Sequence, residues 1–169
     1  YHAAVEGDSR NYLTFFKRGT VYLALGKAKL AIGDFDRALE LKPDFTTARS
    51  QKGQVYLKMG DYVRAEIDLH NALMDDPYNE ETNYFFQRIE PAREQVQLVH
   101  DIIARGDHQT AIALLTQLLE ISPWCPDFRE LRAQSYLMTG DRLSAVSDFR
   151  SVNRLMQDGS DDLTNRKIN

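Results

Sequence analysis

The sequence predicts an all-α fold of stacked antiparallel helix pairs, and three observations carry that prediction. The phrase GKAKLAIGDFDRALELKPD from Gly26 returns as GDYVRAEIDLHNALMDDPY from Gly60, a shift of 34 residues. Apolar and small residues within each copy recur at steps of three and four, the period of one helical face. Glycine and proline punctuate the copies at fixed places, where helices turn and stop.

The period is dense. Gly19 and Gly53, Tyr22 and Tyr56, Gly26 and Gly60, Ala31 and Ala65, Ala38 and Ala72, and Pro43 and Pro77 all lie 34 apart, and Phe35 is matched by Leu69. A 34-residue unit with small residues near its middle and proline near its end resembles the tetratricopeptide repeat. That resemblance implies a right-handed α-solenoid, a superhelix of antiparallel helix pairs.

Each element has a reason. Tyr12, Phe15, Gly19, Tyr22 and Leu25 share one face of a first helix, which Gly26 closes as a left-handed cap. Ala31, Phe35, Ala38 and Leu39 share one face of a second helix, which Pro43 stops. Gly19 and Ala31 lack bulk, so the two backbones can approach, with Phe35 and Tyr22 filling the space beside them. One helix pair is too thin to bury its own apolar face, so neighbours must stack.

The register breaks once. The spacing from Gly60 predicts glycine at position 94, where Glu94 stands; the next match is Gly106, with Ala111, Leu115, Leu118 and Pro123 following. Gly140, Ala145, Phe149 and Val152 then resume the period. The predicted units are 12–45, 46–79, 92–125 and 126–159. Partial repeats flank them at 1–11 and 160–169, so the chain reads as a piece of a longer array. EETNYFFQRIEP, residues 80–91, is too apolar for a linker and predicts a helix capped by Asn79 and ended or kinked by Pro91. It divides a first group, 1–79, from a second, 92–169. DGSDD at Asp158 reads as a turn with a helix cap.

Composition excludes several function classes. The chain is 43% hydrophobic and 27% charged, which argues for a folded protein. Its formal net charge of -4 offers no broad attraction to nucleic acid or an anionic membrane, and no apolar run is long enough to span a bilayer. Cys125, the single cysteine, cannot form an internal disulfide and reads as an unpaired helix-start residue. His2, His70, His100 and His108 form no metal pair at ligand spacing. No catalytic residue, metal site or cofactor is predicted.

The inner wall follows from the repeat resemblance. It assigns the second, fifth, sixth, ninth, twelfth and thirteenth residues of each unit to the concave side. In the first unit these are Leu13, Phe16, Lys17, Thr20, Leu23 and Ala24. In the second they are Thr47, Ser50, Gln51, Gln54, Leu57 and Lys58, and in the third Arg93, Val96, Gln97, His100, Ile103 and Ala104. Leu13, Phe16, Thr20, Leu23 and Leu57 form the predicted client-binding site, an apolar face toward an open groove. The clamp by which many such domains hold acidic chaperone tails needs charged or amide donors. Its positions here hold Phe16, Thr20, Gln51, Arg93 and Gln97, where only Arg93 could serve, so no such clamp is expected.

A narrower resemblance rests on YHAAVEGD, NYLTFFKRGTVYLALGKAKLAI and, most specifically, WCPDFRELRA. These stretches resemble the DnaJ subfamily C member 3, or protein-kinase-inhibitor, co-chaperones over nearly the whole chain. The resemblance implies residence in the endoplasmic reticulum lumen and a secretory leader, nine repeats in three groups and a J domain. It implies partners of three kinds: unfolded or misfolded polypeptides, the luminal Hsp70-class chaperone reached through the J domain, and a stress-activated protein kinase that acts on a translation initiation factor. Neither nucleic acid nor membrane is among them. The J-domain tripeptide His-Pro-Asp is absent from this sequence. The cysteine pair that the resemblance places at Ser122 and Ser135 is also absent. A second reading, a scaffold docking a folded kinase, would use the charged face around Arg129, Glu130 and Arg132.

Overall fold

A computed structural model describes the backbone of residues 11–168 and the side chains of residues 11–157. The expected tail of a preceding helix in YHAAVEGD lies outside the described residues. Among those residues there are eight helices and no strand. In chain order they are α1 (Tyr12–Ala24), α2 (Ala28–Leu41), α3 (Thr46–Lys58), α4 (Tyr62–Asp75), α5 (Glu80–Ala104), α6 (His108–Ile121), α7 (Pro126–Thr139) and α8 (Arg142–Ile168).

The punctuation read from the sequence sets the helix ends. Asn11 caps α1, its side chain accepting from the Leu13 N–H at 3.0 Å. At the other end the Lys27 N–H reaches the Tyr22 carbonyl and the Gly26 N–H the Leu23 carbonyl, a Schellman closure. Gly26, Gly60, Gly106 and Gly140 carry φ between 74° and 86°, and among the described residues no other residue type has positive φ. Asn79 caps α5, accepting from the Thr82 N–H at 2.9 Å.

The chain divides into two compact units. The first holds the described residues up to Tyr56 together with Val63–Phe86; the second holds Leu57–Tyr62 and the residues from Gln87 on. In the first unit the missing Cβ of Gly19 lets the Phe35 ring close onto the α1 backbone; a Cβ there would sit 2.7 Å from the ring. Gly53 and Leu69 repeat the arrangement. Phe15 and Ala38 form a buried centre, with Tyr12, Phe16 and Phe45 packed against it.

Two sequence expectations are corrected. The predicted helix 80–91 is not a separate element, because α5 runs from Glu80 to Ala104 with Pro91 inside it. Thr82, Ile89, Ala92 and Val99 are buried at helical spacing while Pro91 is exposed, so the apolar stripe keeps its phase across the proline. Losing one hydrogen bond on the solvent side is outweighed by burial on the other. Likewise α8 continues to Ile168, so DGSDD is not a turn and residues 160–168 do not open a new helix. The reason lies in the repeat. Pro43, Pro77 and Pro123 follow the second helices of the first three units, but the matching position of the fourth holds Gln157.

Candidate functional site: the inner helix faces

The first unit carries most of the predicted face. Leu13 is 42% exposed, and Thr20 and Leu23 are half-buried. The Thr20 hydroxyl donates to the Lys17 carbonyl at 2.7 Å, so its one proton is committed inside α1. Phe16 is half-buried, with its ring 4.9 Å from Phe45, edge to face, and 5.7 Å from Phe35. Phe16 therefore forms the floor of this face and Leu13 its accessible edge.

Leu57 is a correction. It is 1% exposed and belongs to the second unit, so no client can reach its side chain. Its repeat neighbours Ser50 and Gln54 are buried too. Within the first unit Gln54 donates to Ser50 at 3.2 Å, Ser50 shares a 2.7 Å bond with Thr82, and Thr82 donates to Asn79. The start of α5 therefore covers these positions of α3, and a buried polar network satisfies them.

The repeated helix pairs are also bound by ions. Arg18 meets Asp34 at 2.6 Å, Lys52 meets Asp68 at 3.5 Å and Asp36 at 3.0 Å, and Arg132 meets Asp148 at 2.6 Å. The basic partner is the seventh residue of its unit and the buried acid the twenty-third. In the third unit those positions hold Leu98 and Leu114. Bonds to Asp34 and to Asp148 raise the pKa of Arg18 and Arg132. Burial pulls Lys52 down, but Asp36 and Asp68 together outweigh it and hold it above its usual value. Asp68 goes the other way: burial pushes it up more than Lys52 pulls it down. Desolvation therefore dominates at Asp68, while Lys52 takes its firmer partner from Asp36.

These pairs change the reading of the charged face. Arg132 forks onto Asp148 at 2.7 and 2.6 Å, and Arg129 lies 3.8 Å from the same carboxylate. Both cations hold the helix pair rather than a partner, and Glu130 is left exposed without them. Arg93 is likewise engaged inside the second unit, with Glu90 at 3.7 Å and the Tyr62 carbonyl at 3.3 Å.

A polar latch orders the second unit. The fully buried Ser122 hydroxyl donates to the Leu57 carbonyl at 2.6 Å and receives the Tyr62 hydroxyl at 2.8 Å. The Trp124 N–H donates to the Lys58 carbonyl at 2.9 Å. Cys125 is buried beside Gly60, and desolvation raises its pKa, which suits an inert thiol. Ser135, also buried, bonds the His108 ring at 3.3 Å. The two serines thus have separate polar partners.

The second unit also holds clefts that the predicted site omitted. One of about 420 Å³ is lined by Val96, His100, Asp127 and Glu130 and ends on Leu131 and Gln134. A second of about 310 Å³ begins on that same Leu131 and Gln134 and continues past Ile103, His108, Leu137 and Met138. Applying the inner-position rule to the fourth unit gives Asp127, Glu130, Leu131, Gln134, Leu137 and Met138. These six are legible from the same repeat rule that marks the inner positions of the first three units. Among the described residues no cluster of His, Cys, Asp or Glu could hold a metal, and no helix is long and apolar enough to cross a membrane.

A tetratricopeptide-repeat family model matches residues 16–79. DnaJ homolog subfamily C member 3 of Gallus gallus is 38% identical over 164 residues, covering 95% of this chain and 32% of the relative. The human relative of that name is 35% identical with the same coverage. A tetratricopeptide repeat and J domain-containing co-chaperone, DNJ1 of Fusarium oxysporum, is 32% identical over 90% of this chain and 28% of its own length. The crystal structure of the P58(IPK) TPR domain superposes with a TM-score of 0.81 at 34% identity, covering 91% of this chain and 44% of that one. The chain spans about a third of the length of the curated relatives it matches. The helix pairs have the tetratricopeptide-repeat fold, and over 95% of its length the chain is similar to DnaJ homolog subfamily C member 3.

Proposed function

We propose that this chain is the client-holding segment of a DnaJ-type co-chaperone of the endoplasmic reticulum lumen. It retains unfolded or misfolded polypeptides for the luminal Hsp70-class chaperone, which a J domain outside these residues engages, and so serves the unfolded-protein response. The observation that carries this reading is the apolar face of α1: Leu13 exposed, with Phe16 and Leu23 half-buried and Thr20 satisfied within its own helix.

The mechanism is reversible burial. A client's apolar side chain laid on Leu13, Phe16 and Leu23 removes surface from water at about 25 cal/mol per Å². Thr20 offers that client little hydrogen-bond readout, so binding is weak and tolerant of sequence. The similarity to named co-chaperones supports the same reading. Docking of a folded kinase through Arg129 and Arg132 has less support, because Asp148 occupies both guanidinium groups.

The test is suppression of aggregation of one denatured model client. The native form of that client is the control, and ionic strength is varied. Apolar capture selects the denatured form and persists at high salt, whereas charge docking weakens steeply. Equal binding of native and denatured client would overturn the proposal.

A further inference from the structure

Two adjoining clefts in the second unit differ in character along one helix. Asp127 and Glu130 lie in the first turns of α7, and Leu131, Gln134, Leu137 and Met138 follow on the same face. The facing wall is Val96 and His100 beside the acids and Ile103 beside the apolar end. The clefts share Leu131 and Gln134, so they form one groove. From Asp127 to Met138 the helix rises about 16 Å, the reach of about five extended residues.

The charge of this groove is not neutralised from its own helix. Of the cations of α7, Arg132 bonds Asp148 and Arg129 pairs with it at 3.8 Å. Asp127 and Glu130 are both exposed, and among the described residues neither takes part in an ion pair. At the other end Leu137 is exposed and Met138 is 69% exposed, and Met adapts its shape to varied apolar partners. Acid at one end and exposed apolar surface at the other define the complement.

The geometry points to a second polypeptide-binding site in this groove, for an extended segment carrying lysine or arginine about three to four residues from large aliphatic or aromatic side chains. The cation meets Asp127 and Glu130, and the apolar residues cover Leu131, Leu137 and Met138. This site is built from residues of the second unit and uses none of the α1 face, and its chemistry adds a charge preference that the α1 face lacks. A segment with glutamate in place of the cation is rejected by like charge.

Fluorescence anisotropy with the whole chain tests this directly. The probes are dye-labelled ten-residue peptides combining lysine with leucine, glutamate with leucine, or lysine with serine. At moderate salt the lysine–leucine peptide binds at least tenfold more tightly than either of the others. Glu130→Lys and, separately, Met138→Asp each weaken it at least tenfold, and Glu130→Lys improves binding of the glutamate–leucine peptide. Glu120→Lys, an equal charge change away from the groove, leaves the preference intact. Leu13→Asp also leaves it intact, so failure of the α1 face and failure of this groove are read apart. Equal affinity for the lysine–leucine and glutamate–leucine peptides, or equal losses from Glu120→Lys and Glu130→Lys, would overturn the assignment. So would unchanged binding in folded Glu130→Lys and Met138→Asp chains.

Discussion

The guanidinium of Arg132 donates two hydrogen bonds to the carboxylate of Asp148, which is 3% exposed. The pair joins α7 to α8 within the second unit. Its equivalents join Arg18 to Asp34 and Lys52 to Asp68 in the first. The third repeat replaces both partners with leucine, at Leu98 and Leu114. The position thus accepts two charges or none. Removing one partner alone strands the other in a poorly hydrated place.

Asp148→Leu is therefore expected to destabilise the chain by about 2 to 3 kcal/mol, because Arg132 and Arg129 lose their common partner. The double variant Arg132→Leu/Asp148→Leu recovers part of that loss. Urea midpoints of the single and double variants check the ordering. A double variant less stable than Asp148→Leu alone would contradict the view that the single change strands the cation.

Gly60 serves two purposes. Its φ of +81° disfavours any side chain, and a Cβ there would meet the Cys125 sulfur at 2.7 Å. Gly26 has φ +74° with open space around it. Gly26→Ala should cost about 1 kcal/mol from backbone strain alone. Gly60→Ala should cost at least about 1 kcal/mol more from the clash. Thermal unfolding of both variants measures the difference.

The Tyr62 hydroxyl predicts a pH effect. Burial raises its pKa, and the bond to Ser122 offsets only part of that. The native state therefore favours the neutral phenol. Its stability contribution is full below the unfolded value of about 10 and is lost as pH rises from there through the higher native value. Tyr62→Phe is expected to cost about 0.5 to 1 kcal/mol at neutral pH and to flatten the alkaline loss of stability. Urea titrations at pH 8 and about pH 11 test both parts, and parallel losses in the two proteins would contradict them.

Cys125 is buried at the start of α7, and desolvation keeps its thiol protonated. Alkylation of the native chain by iodoacetamide is expected to be roughly a hundredfold slower than in urea. A native rate close to the denatured one would contradict the burial.

Much of the fold was legible because repetition turns weak local signals into strong ones. A glycine recurring at Gly26, Gly60, Gly106 and Gly140 is a helix end four times over, and the backbone places each at positive φ. Pro91 leaves two readings open, a kink within one helix or the start of the next, because a proline read in isolation does not choose between them. The buried residues on either side of it, Ile89 and Ala92, belong to one stripe, and burial decides. The long α8 is legible from Gln157, where three earlier units carry proline. Leu57 was misplaced because solvent access is decided by what packs over a residue, and its own repeat does not encode that. Phe16 is half-buried for the same reason: Phe45, nearly thirty residues on, supplies the ring that covers one edge.

The client-holding account is tested most directly by crosslinking from position 13. A photoreactive residue replacing Leu13 is compared with one replacing Lys29, an exposed residue of α2. The account predicts adducts with a denatured client at position 13, few with the same client when native, and few from position 29. Equal yields from the two positions, or no adduct at position 13 while the chain still suppresses aggregation, would contradict it.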